Sequence, residues 1–409
     1  MSQLSFADLL GTTGLEVFAS DYWERQILHV PAEPLRDFSQ LLSIRDIDTL
    51  LAFNNTSSVP SYSAANHGPL SPQMNEASHR KALDAFHEGS TIFLGSLHQR
   101  WAPVAKLCRD VEVELCHLVG ATAVLSPKGA QGLSSHYDAA DVFVIQLEGE
   151  KKWQIFQPLC HLPLEGRALS DAELEGVPAQ VVHLRQGDVM YVPRGLPHYA
   201  FTSEHNSLHL SLYVNAIRWK DLLQQALINV SENHVELRQA LPLGVLSRGD
   251  AAEQLAPGLA MRLKLLLENV SSEDAVRRVL GNFIQQMQPV PGGQFADLGD
   301  LSEFTLATLL ERRPGVCQVI AGSEGAEIHF AGGAMHGPPF LKATLEYIAR
   351  TPRFAVSDLP MSSDNSKLVL VRRLVWEGLL RRAETFGANG GPAQQKQFHH
   401  GLVEATRGE

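Results

Sequence analysis

The chain has 409 residues, of which 44% are hydrophobic and 19% charged, so it can build two or three domains with sizeable cores and has an ordinary globular composition. Its 34 Lys and Arg against 45 Asp and Glu give a formal net charge of -11, which argues against nonspecific binding to nucleic acid or to an anionic membrane, since both select a basic footprint. No C-x-x-C pair occurs among Cys108, Cys116, Cys160 and Cys317, no signal peptide is read in MSQLSFADLL, and no apolar run approaches a membrane span, so a reducing, cytoplasmic setting is expected.

In chain order, SDYWERQILHVP predicts a short helix capped by Ser20, then a strand from Ile27 to Val30 stopped by Pro31. STIFLGSLHQRWAP predicts a strand over Thr91 to Leu94 and a helix after it. Between residues 121 and 215 short β-rich runs recur, broken by Gly, Pro and Asp: TAVLS, DVFVIQL, KKWQIF, AQVVHL, DVMYVP and LHLSLYV. Strands at this density predict a barrel or sandwich rather than βαβ units. After Asn215 the apolar period becomes helical in WKDLLQQALINV and GLAMRLKLLLENV, and Ser271 caps the helix DAVRRVLGNFIQQM. PVPGGQ, Pro289 to Gln294, marks a domain boundary. Beyond it FTLATLLERRPG predicts a helix and QVIAGSEGAEIHF a hairpin, and further helical segments follow, an order that suggests a small winged-helix-like domain. The tail, rich in Gly, Gln and His, is expected to be disordered. The expected domains are residues 1–217, 218–290 and 295–385, with the tail at 386–409. The stripe between Arg218 and Gln288 carries more apolar surface than a small bundle can bury, so a homodimer through it is expected.

The chemistry is concentrated in SSHYDAADVFVIQLEGEKKW, residues 134–153. H-x-[DE] alone is weak: on the order of two matches are expected by chance in this composition. His234-Val235-Glu236 is such a match in a helical stretch, where residues two apart diverge. His136 and Asp138 stand instead in β-type surroundings, where residues i and i+2 share a face and can bind one ion. A second histidine is offered by GDVMYVPRGLPHYA, whose His198 opens the strand after a Pro-Arg-Gly break. His209, alternating with Ser211 and Tyr213 on one strand face, is its rival; His205, in the polar SEHNS loop, reads as solvent-exposed. Two imidazoles and one carboxylate suit a six-coordinate Fe(II) with open positions better than Zn, which prefers four ligands. Lys151 faces inward with Trp153 while Lys152 faces out, and a lysine inside a barrel is costly unless paired. A dicarboxylate such as 2-oxoglutarate would supply that pair, its keto acid end chelating iron and its far carboxylate meeting Lys151.

These residues bear a family resemblance. HYDAADVFVIQLEGEKKW, GDVMYVPRGLPH, the upstream YWERQILHVP, the helical segment and a C-terminal part ending KLVLVRRLVWEGLL resemble the JmjC-type Fe(II)/2-oxoglutarate oxygenases of the ribosomal-oxygenase branch, over roughly residues 10–382. The resemblance implies an α+β chain: a double-stranded β-helix of cupin type, a helical dimerisation region and a C-terminal winged-helix-like domain that need not bind nucleic acid. It implies iron ligands at His136, Asp138 and His198, cosubstrate binding by Lys151 with help from Ser211, and O2-dependent hydroxylation of an amino-acid side chain in a protein or peptide, a ribosomal protein or a biosynthetic peptide, with succinate and CO2 as products. N-methyl-lysine demethylation by the same chemistry and a non-catalytic cupin-like scaffold are the alternatives. Relatives of the nucleolar type carry Asn and Tyr where this chain has Thr122 and Val124; Thr122 can still donate a hydrogen bond and Val124 cannot. The loop SPKGAQGLSS, residues 126–135, is expected to line the pocket mouth.

Overall fold

Strands β1 (Leu28–Val30), β2 (Ser63–Ala65), β3 (Thr91–Leu94) and β4 (Leu118–Ser126) precede a dense run of eight more: β5 (His136–Tyr137), β6 (Asp141–Glu148), β7 (Glu150–Phe156), β8 (Arg167–Ala168), β9 (Ala179–Arg185), β10 (Val189–Val192), β11 (His198–Phe201) and β12 (Ser207–Asn215). In the computed structural model, which describes residues 4–32, 36–53, 62–68, 79–289, 293–299, 301–322 and 325–383, these strands form two sheets. The larger runs β1-β10-β6-β12-β4-β3-β2 and the smaller β8-β5-β11-β7-β9. Along the chain β4, β5, β6 and β7 alternate between the sheets, as do β9, β10, β11 and β12, which is the winding of a double-stranded β-helix. Gly149 makes the corner from β6 to β7: its φ is +67°, and a Cβ there would lie 2.1 Å from the Asn206 carbonyl oxygen, so no larger residue fits.

Burial explains the sequence pattern strand by strand. β6 is buried at every position from Asp141 to Leu147, because helix Ala102–Leu115 and the N-terminal helices cover its outer face, and DVFVIQL accordingly does not alternate. β7 does alternate, burying Lys151, Trp153 and Ile155. Its inward residues meet Val142, Val144, Leu184, Met190 and Val192 in a core between the sheets.

Helices Trp219–Asn233, Ala251–Asn269 and Ser272–Gln286 follow. Ser271 caps the last of them, its side chain accepting the Asp274 amide. Phe283, Ile284 and Met287 pack with Val113, Leu118 and Ile217 on one side and with Val316 and Ala331 on the other, joining the β-helix to the C-terminal part. That part contains β13 (Leu309–Arg312), β14 (Cys317–Ala321), β15 (Ala326–Phe330), β16 (Gly333–Gly337), β17 (Arg353–Ala355) and β18 (Leu380–Arg382), in sheets ordered β17-β13-β18 and β14-β15-β16. Helices Lys342–Arg350 and Asp364–Trp376 close its core. Among the described residues no helix is long and apolar enough to cross a membrane. Residues 290–292 of the expected boundary and all of the tail from 386 lie outside the described residues.

Two local expectations are corrected. Ser20 does not cap a helix; it sits inside a π-helical turn, Phe18–Tyr22, and donates to Asp21 Oδ1. The turn exists because Phe18 is fully buried against Phe6, Phe143 and Tyr191. FTLATLLERRPG is not a helix: Thr305 and Thr308 close a turn, and Leu309–Arg312 is the central strand between β17 and β18. Pairing on both edges, with Leu310 fully buried, overrides the modest helix propensity of TLLERR.

A buried polar network fixes the segment before His198. Asp141, fully buried, accepts the Tyr191 hydroxyl at 2.7 Å and Arg194 Nη1 at 2.6 Å, while Arg194 Nη2 also pairs with Glu24. Asp141→Ala strands a buried guanidinium, and breaking such a pair costs about 3–5 kcal/mol. Equilibrium urea unfolding is expected to show that loss; a change below about 1 kcal/mol would mean that Glu24 alone satisfies Arg194.

Candidate metal centre and its pocket

The ladder between β5 and β11 sets His136 directly opposite His198, with ring centroids 4.5 Å apart. Asp138 follows two residues after His136 on the same face, and one ligand atom from each of the three residues lies within 4.8 Å of the others. Asp138 Oδ2 is 3.8 Å from His198 Nε2. The Gly195 amide donates to the Asp138 carbonyl oxygen at 3.0 Å, tying the two motifs together through the backbone. Gly195 has φ +88°, and a Cβ would meet the Cys160 carbonyl oxygen at 2.5 Å, so the turn that delivers His198 requires glycine.

Both rings are oriented by backbone carbonyls. His136 Nδ1–H donates to Ser134 O at 2.8 Å and His198 Nδ1–H to Leu196 O at 2.9 Å. Because a carbonyl only accepts, the proton sits on Nδ1, and each Nε2 keeps its lone pair for a metal. Burial, and then the neighbouring His136, lowers His198 to about 4 against the pull of Asp138, so its imidazole is neutral at pH 7. Two imidazole Nε2 atoms and one carboxylate on one side fit a divalent metal that keeps further positions open, as Fe(II) does in facial triads. His234 and Glu236 do not join any such group: the helix ends at Asn233 and a 3-10 turn follows.

The three residues line a cavity of about 300 Å³ that also holds Lys151, Trp153, Thr122, Ser211 and His209. Lys151 is 3% exposed, and its Nζ donates to Ser126 Oγ at 2.7 Å, a hydroxyl that also receives Thr91 Oγ1 at 3.0 Å. Among the described residues it has no carboxylate partner, and burial lowers it to about 7. Ser211 and Thr122 are cross-strand neighbours on β12 and β4, and both line the cavity beside Tyr213, whose phenol is pushed up by burial and by the charge of Asp138. His209 lies in the same cavity but outside the three-residue cluster, and His205 is exposed in its loop.

The sequence reading did not single out Tyr213, although it continues the alternation of His209 and Ser211. Nor did it find Tyr62, Ser63 and Phe93, which bring β2 and β3 to the pocket wall; short apolar runs carry no mark of which cavity they face. Gly132 and Leu133 of the SPKGAQGLSS loop also line the cavity.

Residues 96–222 match the JmjC domain family. The chain carries a JmjC domain. Curated relatives named bifunctional lysine-specific demethylase and histidyl-hydroxylase NO66 match it at 29% identity in Aedes aegypti, over 69% of this chain and 47% of theirs, and at 31% in Dictyostelium discoideum, over 58% and 48%. The match covers between 26% and 48% of the length of such curated relatives, so the chain spans half of them or less. Among solved structures, Escherichia coli YcfD superposes with a TM-score of 0.57 at 19% identity over 89% of this chain and 96% of that one. A structure of YcfD, there called a ribosomal oxygenase, in complex with cobalt and 2-oxoglutarate gives 0.55 at 18% identity. The JmjC domain thus sits within a chain that has the fold of YcfD nearly throughout.

Metal binding separates the three residues from their neighbours. Asp138→Ala and His136→Ala are each expected to weaken Mn(II) binding by roughly 100-fold or more, beyond the 10–100-fold typical of residues that only support a ligand. Lys151→Ala is expected to leave it unchanged. Titration followed by electron paramagnetic resonance reads this, and unchanged affinity in either ligand variant contradicts the assignment.

Proposed function

We propose that this chain is an Fe(II)- and 2-oxoglutarate-dependent oxygenase that hydroxylates an amino-acid side chain in a protein or peptide. The observation that carries the reading is the conjunction of a His136-Asp138-His198 cluster with a buried, carboxylate-free Lys151 in one cavity. A metal site alone does not explain a buried amine; a dicarboxylate that bridges metal and amine explains both. When bound, Fe(II), 2-oxoglutarate and O2 supply oxidative decarboxylation to succinate and CO2 and deliver an oxygen atom to a nearby C–H bond. The protein's part is positioning. His136 and His198 present Nε2 because Ser134 and Leu196 hold the other nitrogen, Lys151 anchors the far end of the cosubstrate, and the apolar strand residues keep water from its path.

Among the described residues the pocket's only carboxylate is Asp138, which is assigned to the metal, while Tyr62, Phe93, Trp153 and Tyr213 offer ring faces to a methylated ammonium, so N-methyl-lysine demethylation by the same chemistry also fits this lining. The names of the NO66 relatives include both activities, and the name of YcfD points to the ribosome, so a ribosomal protein is the substrate class proposed here. Residues 1–217 would form the catalytic domain, 218–290 a helical dimerisation region and 295–385 a winged-helix-like domain. Four free cysteines suit a reducing, cytoplasmic setting. Support for the dimer comes from Trp219, 82% exposed, and from helix Ala251–Asn269, which buries none of its residues and exposes Leu259, Met261, Leu263 and Leu267.

Lys151 gives the reading a signed pH dependence. With its pKa lowered to about 7, the amine is increasingly neutral above that pH, whereas a bound carboxylate favours the charged form. Binding of 2-oxoglutarate to the Mn(II) form is therefore expected to take up a proton at pH 8. Its Kd rises with pH above 7, by at most roughly tenfold per unit. Lys151→Ala removes this dependence and raises Kd roughly 30-fold or more, as loss of a partner from a buried charge pair does. Lys152→Ala, on the opposite strand face, does neither. Calorimetry in buffers of differing ionisation enthalpy reads the proton; a Kd flat from pH 7 to 9 contradicts the pairing. Separately, light scattering is expected to give twice the mass of one chain, and a monomer mass at every concentration contradicts the dimer.

A further inference from the structure

His209 projects from β12 of the large sheet, and Lys151 and Trp153 project from β7 of the small one, into the same cavity. The His209 side chain is 3% exposed, and its Nδ1 is buried without a hydrogen-bond partner among the described residues. Trp153 Nε1, which can only donate, is buried and unpartnered in the same way. The two rings meet edge to face at 5.5 Å, an arrangement that fixes the imidazole without satisfying its nitrogens. Directly across the β12–β4 ladder stands Val124, which offers neither donor nor acceptor. Lys151 is near enough that its charge, after burial, lowers the imidazole's pKa, so His209 is neutral and carries one N–H. A neutral imidazole, an indole N–H and an amine thus enter one cavity from two sheets, and among the described residues no carboxylate pairs with the amine. Unpaired buried donors are retained where a ligand completes them.

We propose that His209 faces Lys151 across the far carboxylate of the bound keto acid, donating to it from the large-sheet side, and that it thereby makes the pocket selective for a dicarboxylate. His209 is then a specificity-determining residue and not a metal ligand. The inference rests on the reading of the cavity as a 2-oxoglutarate site.

The test compares two ligands on the Mn(II)-loaded full chain by calorimetry, with competition for weak binding. The first is 2-oxoglutarate; the second is 2-oxovalerate, the same carbon chain with a methyl in place of the far carboxylate. His209→Phe keeps a ring and loses the N–H; it is expected to raise the Kd for 2-oxoglutarate roughly tenfold or more, about 1.4 kcal/mol. It leaves the Kd for 2-oxovalerate and for Mn(II) unchanged, and His209→Gln, which retains a donor, recovers most of the loss. Should the Phe variant fail to fold, His209→Leu takes its place. An unchanged Kd for 2-oxoglutarate, an equal loss for both ligands, or weakened Mn(II) binding overturns the proposal. Wild-type protein that binds Mn(II) but not 2-oxoglutarate overturns the cosubstrate reading itself, which separates the two failures.

Discussion

The antiparallel pairing of β5 with β11 is the constraint on which the site depends, because it sets His136 opposite His198 although 62 residues separate them in the chain (198 − 136). A slip of one residue in that ladder would turn one imidazole to the other face of the sheet. The register is held on both sides. β11 also pairs with β7 from His198 to Phe201, and the Gly195 amide closes on Asp138. Arg194, one residue before that glycine, is locked by Asp141 of the large sheet and by Glu24 in the turn before β1. The metal-ligand geometry is thus a consequence of sheet pairing and one buried ion network, and the side chains need little freedom of their own.

The same two-sheet construction also brings hydrogen-bond donors into the cavity. Lys151 and Trp153 are inward residues of β7, which alternates, so the pleat that buries Ile155 also buries an amine and an indole N–H, and His209 enters from β12 of the other sheet. Burial disfavours the ammonium, which is why Lys151 titrates near neutrality and why an anionic ligand gains by restoring its charge. On the proposed reading stability and function oppose each other here: an apolar residue at 151 would suit the core between the sheets better, and the cosubstrate's carboxylate is what would complete the polar one.

Much of this was legible in the sequence because the signals were periodic or local. The i, i+2 spacing of His136 and Asp138, the Gly-Asp turn before β10, the Pro-Arg-Gly break before His198 and the alternation of β7 each express a backbone rule, and each leads to the position that the structure shows. Thr122 and Ser211, read as cosubstrate residues, line the cavity wall as cross-strand neighbours on β4 and β12, a pairing that no local pattern encodes. Tyr62 and Phe93 were missed because their approach depends on which edge of the large sheet β2 and β3 join. The segment FTLATLLERRPG misled because its apolar spacing is helical while the partners of Leu310, Phe354 on β17 and Arg382 on β18, lie 44 and 72 residues further on (354 − 310 and 382 − 310). Ser20 misled for a related reason: what winds its turn is the burial of Phe18 among rings from distant segments.

The central claim is that this cavity couples cosubstrate oxidation to oxygen insertion into a protein side chain. It is tested most directly by supplying purified protein, Fe(II) and 2-oxoglutarate under oxygen-18 gas to an extract from cells lacking this chain, and mapping labelled peptides by mass spectrometry. The account predicts one or a few peptides that each gain a single oxygen-18 atom, in step with succinate, and no labelling with the Asp138→Ala variant. Succinate released at full rate with no labelled peptide, or labelling that survives in the Asp138→Ala variant, would contradict it.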